Sequence, residues 1–216
     1  MTQHNPIQAG LYLLSHGNVP AALHCFEQAA ADDPGSGEAW YHRGRCLAAV
    51  GELDEALASY DRSLRADPEH PEVWEALASA LAAQGKPAAA VTALDEALRH
   101  DPDTPRLWHG KACLLEQLGR ADEADVAYGR AVEVEPDYAP AWLGRARLRR
   151  AAGDPAAALA DLDRALDIDP DYGQAHAEQA EALCALGRHE EARPAAQTAC
   201  GLLPKDPAAP AALARA

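Results

Sequence analysis

"GEAWYHRGRCLAAVGELDEALASYDRSLRADPEH", residues 37–70, carries one interruption at Gly51 and one stop at Asp67-Pro68. The stop recurs along the whole chain: Pro34, Pro68, Pro102, Pro136, Pro170 and Pro204 stand 34 residues apart without drift. A fixed period of that length marks a repeat architecture and governs the reading of every segment inside it. The units are 3–36, 37–70, 71–104, 105–138, 139–172 and 173–206, with the proline at unit position 32. Position 4 reads Pro6, Trp40, Trp74, Trp108, Trp142 and His176, so all four tryptophans share one column. Position 15 is Gly17, Gly51, Gly85, Gly119, Gly153 and Gly187, and position 20 is Ala22, Ala56, Ala90, Ala124, Ala158 and Ala192. Position 8 holds only Gly or Ala, and position 27 only Ala or Ser.

Each column has a physical cause. Glycine at 15 lets the chain leave a first helix through a backbone conformation that a Cβ resists, and Glu52, Lys86-Pro87 or Asp154-Pro155 then opens a second. Every unit therefore reads as two antiparallel helices. Small residues at 8, 20 and 27 allow close helix approach, and the tryptophan at 4 fills the space beside them. Its burial contributes about 4 to 6 kcal/mol by area. Proline at 32 ends the second helix, because inside one it would cost about 3 kcal/mol.

These columns resemble the tetratricopeptide repeat family, and residues 37–70 show the likeness best through Trp40, Gly44, Leu47, Gly51, Ala56, Tyr60, Ser63 and Pro68. The resemblance implies an all-α fold, a right-handed α-solenoid of helix–turn–helix units forming a single domain over 1–216. A truncated cap is expected at 207–216, where Pro210, Leu213 and Ala214 restart the register. Departures fall at the ends, where Pro6 and His176 replace tryptophan and Pro194 lies within a second helix that it should kink or shorten. Arg149 occupies a column that usually holds a core Leu or Tyr.

Composition supports helices and narrows the partners. Aromatics are 5% of the 216 residues, there is a single Phe, and β-branched residues are too few to furnish a sheet. A net charge of -15 opposes nucleic acid phosphates and anionic lipid, so neither nucleic acid nor membrane is expected as a partner. With no basic-then-apolar leader and no long apolar run, and with five cysteines that form no CxxC pair, a cytoplasmic location is expected.

No HExxH, GxSxG or phosphate-cradling loop occurs, the glycines serve the turns, and the histidines scatter over different helix faces. We therefore expect no catalytic residue, metal site or cofactor. Charge pairs such as Asp61 with Arg65 and Asp95 with Arg99 read as helix support on a solvated face.

The family resemblance implies a peptide-binding concave groove lined by first helices at positions 2, 5, 6, 9, 12 and 13. In this chain those positions supply Glu38, Tyr41, His42 and Arg45, then Glu72, Glu75 and Ser79. Arg106, His109, Cys113, Glu116 and Gln117 follow, then Leu143, Arg147 and Arg150, then Gln174, Glu178 and Glu181. Arg106, His109, Arg147 and Arg150 suit a partner's carboxylate or phosphate, unless Glu72, Glu75, Glu116 or Glu181 pairs with them internally. Ile7, Leu11 and Leu14 make an apolar set in the first unit that suggests a partner or a second copy of the chain, unless the N-terminus covers it. The Lys and Asn set of the chaperone carboxylate clamp is missing, and with only Asn5 and Asn18 present, amide side chains cannot grip a peptide backbone. The expected function is a non-catalytic adaptor or scaffold for a protein or peptide. Alternatives are a self-assembling homo-oligomer using Ile7, Leu11 and Leu14, or a regulatory module of an enzyme complex.

Overall fold

The glycine and proline columns do what their chemistry requires. The computed structural model describes residues 5–203 and places twelve α-helices among them, with no strand. Contacts gather into two compact units, Met1–Pro102 and Asp103–Ala216. The first holds α1 (Pro6–Ser15), α2 (Val19–Asp32), α3 (Gly37–Val50), α4 (Leu53–Ala66), α5 (Pro71–Ala83) and α6 (Pro87–His100). The second holds α7 (Pro105–Gln117), α8 (Ala121–Val134), α9 (Ala139–Ala151), α10 (Pro155–Ile168), α11 (Gly173–Ala185) and α12 (His189–Leu202). Within each unit, odd-numbered and even-numbered helices pair as hairpins, and each even-numbered helix packs on the next odd-numbered one. This is the all-α solenoid architecture, three helix–turn–helix repeats per unit. Pro204 and the cap expected at 207–216 lie outside the described residues.

The turn glycines carry φ values from 69° to 87°, a left-handed conformation that costs a residue with a Cβ energy and glycine almost none. Each second helix then has a polar residue at its N-cap: Asn18, Glu52, Lys86, Arg120, Asp154 and Arg188. Asn18 and Asp154 cap theirs by accepting from the backbone N–H groups of Ala21 and Ala157. Arg120 and Arg188 hold the same place without capping, and instead clamp Glu123 and Glu191 three residues on.

Two columns that the sequence presents separately are joined. The indole N–H of Trp40 donates to the carbonyl of Pro34 at 2.9 Å, and Trp74 and Trp142 do the same to Pro68 and Pro136 at 2.8 Å. The tryptophan at position 4 is therefore a half-buried clasp onto the last turn of the preceding repeat as well as a space filler. His176 takes over that role, with its Nε2 2.8 Å from the Pro170 carbonyl. A carbonyl only accepts, so Nε2 is the donor, and Nδ1 is buried without a hydrogen-bond partner.

The departures noted in the sequence resolve differently. Pro194 does not shorten its helix: α12 runs 14 residues, as long as the other second helices. The ring sits on an exposed face, where water can satisfy the carbonyl whose amide partner is missing. Arg149 replaces a core Leu because it has a buried acid to meet. Asp161, whose side chain is 4% exposed, accepts two bonds from Arg145 at 2.9 and 2.7 Å and one from Arg149 at 2.9 Å. Arg149 also reaches Asp125 of α8 at 3.2 Å, so the network ties three helices together. Arg65 meets Asp61 as expected at 2.6 Å, whereas Arg99 pairs with Glu96.

Candidate partner-binding surface

First helices present positions 5, 6 and 9 on one face, and in the N-terminal unit that face carries a cavity of about 460 Å³. Its wall comes from the start of α3, the end of α4 and the start of α5. Glu38, Tyr41 and His42 meet there with Ser63, Asp67 and His70. The rings form a connected set: His42 stacks on Phe26 at 5.1 Å, and Tyr41 lies 5.0 Å from His42 and 6.0 Å from His70. Arg45 places its guanidinium 5.5 Å from the Tyr41 ring centre. Glu72 pairs with Nδ1 of His70 at 2.8 Å. Glu75 is half-buried on the next first helix, and Ser79 stands exposed there.

The electrostatics follow from burial. His42 is held down to about 4, first because its ring is partly removed from water and then because Arg45 and His70 add positive charge nearby. Its Nδ1 is buried without a hydrogen-bond partner, which also opposes a second proton. The ring is thus neutral at pH 7. Tyr60, fully buried behind Tyr41, is pushed up to about 12 by the same loss of water and stays a phenol.

In the C-terminal unit the equivalent face is built from His109, Cys113, Glu116 and Tyr128. His109 packs against the rings of Tyr128 and Tyr138, each at 5.7 Å. The Tyr128 hydroxyl donates to Glu116 at 2.6 Å and lies 3.4 Å from the Cys113 sulfur, which is 3.8 Å from Nε2 of His109. Burial raises the Cys113 thiol and lowers His109, so the pair sits as thiol and neutral imidazole, the opposite of the thiolate–imidazolium state a nucleophile needs. Arg147 and Arg150 both turn to Glu178 of the following repeat, at 3.3 and 2.8 Å. The sequence allowed internal pairing but named other acids. Arg106 is exposed at the start of α7. Leu143, counted among groove positions from its column, is buried in the core beside Ala158 and Leu162.

Ile7, Leu11 and Leu14 are half-buried, packed with Leu13 and Val19 around Phe26, Ala22 and Cys46. The large apolar side chain of α1 that stands open is Tyr12, 65% exposed. Sequence reasoning missed Asp67 and His70 because they lie near the repeat boundary, where residues read as punctuation, and Ser63 because its column read only as a small packing position. The signal was available, since position 34 immediately precedes a first helix and must lie beside that helix's neighbours.

The outer side of the N-terminal unit has a second cleft, about 510 Å³, lined by Trp40, Arg43, Arg62, Glu27 and Glu55. Arg62 covers the Trp40 ring at 4.3 Å, and Arg43 bonds Ser59 and Glu55 at 2.7 and 3.1 Å. Its charges are spent on one another. Lys111 and Arg130 about Trp108, and Arg145 about Trp142, repeat the motif.

Hairpins of this geometry, clasped at a 34-residue period, define a helical repeat protein. Tetratricopeptide repeat profiles match residues 7–71, 109–173 and 143–210, with a further one over 71–112, and the chain belongs to the tetratricopeptide repeat family. Solved structures share the fold. PilF of Pseudomonas aeruginosa is 18% identical over 98% of this chain and 96% of its own, with a TM-score of 0.82. PilW, a type IV pilus biogenesis factor, is 19% identical over 99% and 100%, with a TM-score of 0.81. YrrB, described as having an unusual peptide-binding site, is 20% identical over 87% and 96%, with a TM-score of 0.70. No curated protein sequence matches the chain. No described helix is long and apolar enough to cross a membrane.

Proposed function

We propose that the chain is a non-catalytic adaptor that holds an extended or helical segment of a partner protein against its first helices. The observation that carries this reading is the ring-lined cavity at Glu38, Tyr41 and His42, where a concave site that combines aromatic walls with the polar groups of Glu38, Ser63 and Asp67 meets the face that the repeat architecture offers to partners. Arg45, Glu72 and Glu75 extend that face in the N-terminal unit. Arg106, His109, Arg147 and Arg150 form its counterpart in the C-terminal unit, with Glu178 as the acid that a partner's carboxylate would displace.

Selection of a displayed random peptide library on the immobilised chain tests the reading. Wild-type protein should enrich a related set of peptides, Tyr41→Ala should lose them, and Arg65→Ala on the solvated side of α4 should retain them. Failure of the wild-type chain to enrich any sequence would end the proposal. A second reading, assembly of copies through α1, draws on the exposed Tyr12 beside the partly covered Ile7, Leu11 and Leu14. Light scattering over a concentration series decides it: growth abolished by Tyr12→Asp supports assembly, and a monodisperse monomer removes it.

A further inference from the structure

We infer that the cavity between α3, α4 and α5 takes the cationic end of an arginine or lysine side chain from the partner segment. This rests on the adaptor reading above and adds the chemistry of one contact.

The fixed charges of the lining are negative, while Arg45 stands outside it against the Tyr41 ring. Glu38 and Asp67 are carboxylates, and no lining residue is Arg or Lys. Glu38 makes no hydrogen bond or ion pair among the described residues, so its charge is available at the rim. Asp67 accepts the backbone N–H of Glu69 at 3.1 Å, a turn contact that an asparagine could also make. The remaining wall is aromatic: Tyr41, His42 and His70 present rings 5.0 to 6.0 Å apart. With His42 neutral at pH 7, its ring offers a face without an opposing charge. Ring faces attract cations, guanidinium above all, and Arg45 already lies over the Tyr41 ring at 5.5 Å.

Other occupants fit less well. An anion would face Glu38 and Asp67 with no cationic lining residue to hold it. An apolar side chain would cover two carboxylates without pairing them, which costs energy that a cation would recover. A guanidinium or ammonium satisfies both parts of the wall, charge with the carboxylates and ring contact with Tyr41 and the imidazoles.

The test is a nuclear magnetic resonance titration of the full isotope-labelled chain, reading the ring signals of Tyr41, His42 and His70. Nα-acetyl-arginine amide should shift these signals saturably, with a dissociation constant in about the millimolar range for one side chain. Nα-acetyl-citrulline amide, its uncharged near-isostere, should not. The Glu38→Gln, Asp67→Asn variant should bind the arginine probe about tenfold more weakly while its helical circular dichroism stays that of the parent. Equal shifts with citrulline, or unchanged binding by the variant, would overturn the inference. The peptide library separates this from the adaptor reading. Enriched peptides without basic residues would sink the cation site and leave the adaptor standing, and no enriched peptides at all would sink the adaptor even where the arginine probe binds.

Discussion

A Cβ placed on Gly44 would come within 2.5 Å of the Tyr60 ring, and one on Gly10 within 2.7 Å of Phe26. In the third and fifth repeats the same two columns read Ala78 with Leu94 and Ala146 with Leu162, a smaller residue in the second helix beside a larger one in the first, whereas the fourth repeat keeps Tyr128 with Ala112. Gly44→Ala should destabilise the chain by about 1 to 2 kcal/mol, the overpacking cost less the gain in helix propensity. Tyr60→Leu in the same chain should cancel much of that penalty, and strict additivity of the two changes in urea unfolding would refute the coupling. His42 adds a pH effect of defined sign. Its folded value of about 4 lies below the 6.5 of an unfolded histidine, so between those values the unfolded chain binds a proton that the folded chain refuses. Stability contributed by the neutral ring is complete above about pH 6.5 and is lost as the pH falls towards 4. Allowing for the half-exposed ring, the loss is about 2 kcal/mol. His42→Gln should lose less stability than the parent between pH 7 and pH 4.5, and parallel losses would contradict the assignment.

At the scale of the helix, Asp161 shows where a buried charge sits among aliphatic neighbours. Asp161→Ala should cost about 3 to 5 kcal/mol, because Arg145 and Arg149 would remain beside an apolar core without their acid. Changing all three to the residues found in their columns elsewhere, Arg145→Leu, Arg149→Leu and Asp161→Ala, should restore most of that loss. A triple variant as unstable as the single one, measured by urea midpoint, would show that the network contributes more than mutual compensation. The period of glycines and prolines made the hairpins legible from sequence, because turn chemistry is local and each residue's φ is its own. The charge network was half legible: Arg149 stood out in its column, but Asp161 and Asp125 are partners only after three helices have packed. Pro194 misled for a related reason, since the disruptive effect of proline depends on whether the freed carbonyl faces solvent.

For the whole molecule, the sequence period passes unbroken through residue 102 while the contacts divide there into two compact units. Each unit has three repeats, about the number at which stacking sustains a core. Residues 1–102 and 103–216 expressed separately should each be helical and melt cooperatively, and a half that shows no helical circular dichroism would refute the division. The proposed partner face was legible only as columns. Tyr41 and His42 could be placed on it because first-helix geometry repeats, whereas Asp67 and His70 join it through the path of a turn. Leu143 shares the column of Tyr41 yet is buried, since a column fixes direction and the neighbours fix exposure. The tryptophan–proline clasp bears on how such a chain can grow. A gene segment cut at the prolines separates the indoles of Trp40, Trp74 and Trp142 from their acceptors, whereas one running from Gly51 to Gly85 carries Pro68 and Trp74 together. Duplications that survive should therefore begin and end at glycine codons, and the inherited module is the stretch from turn to turn.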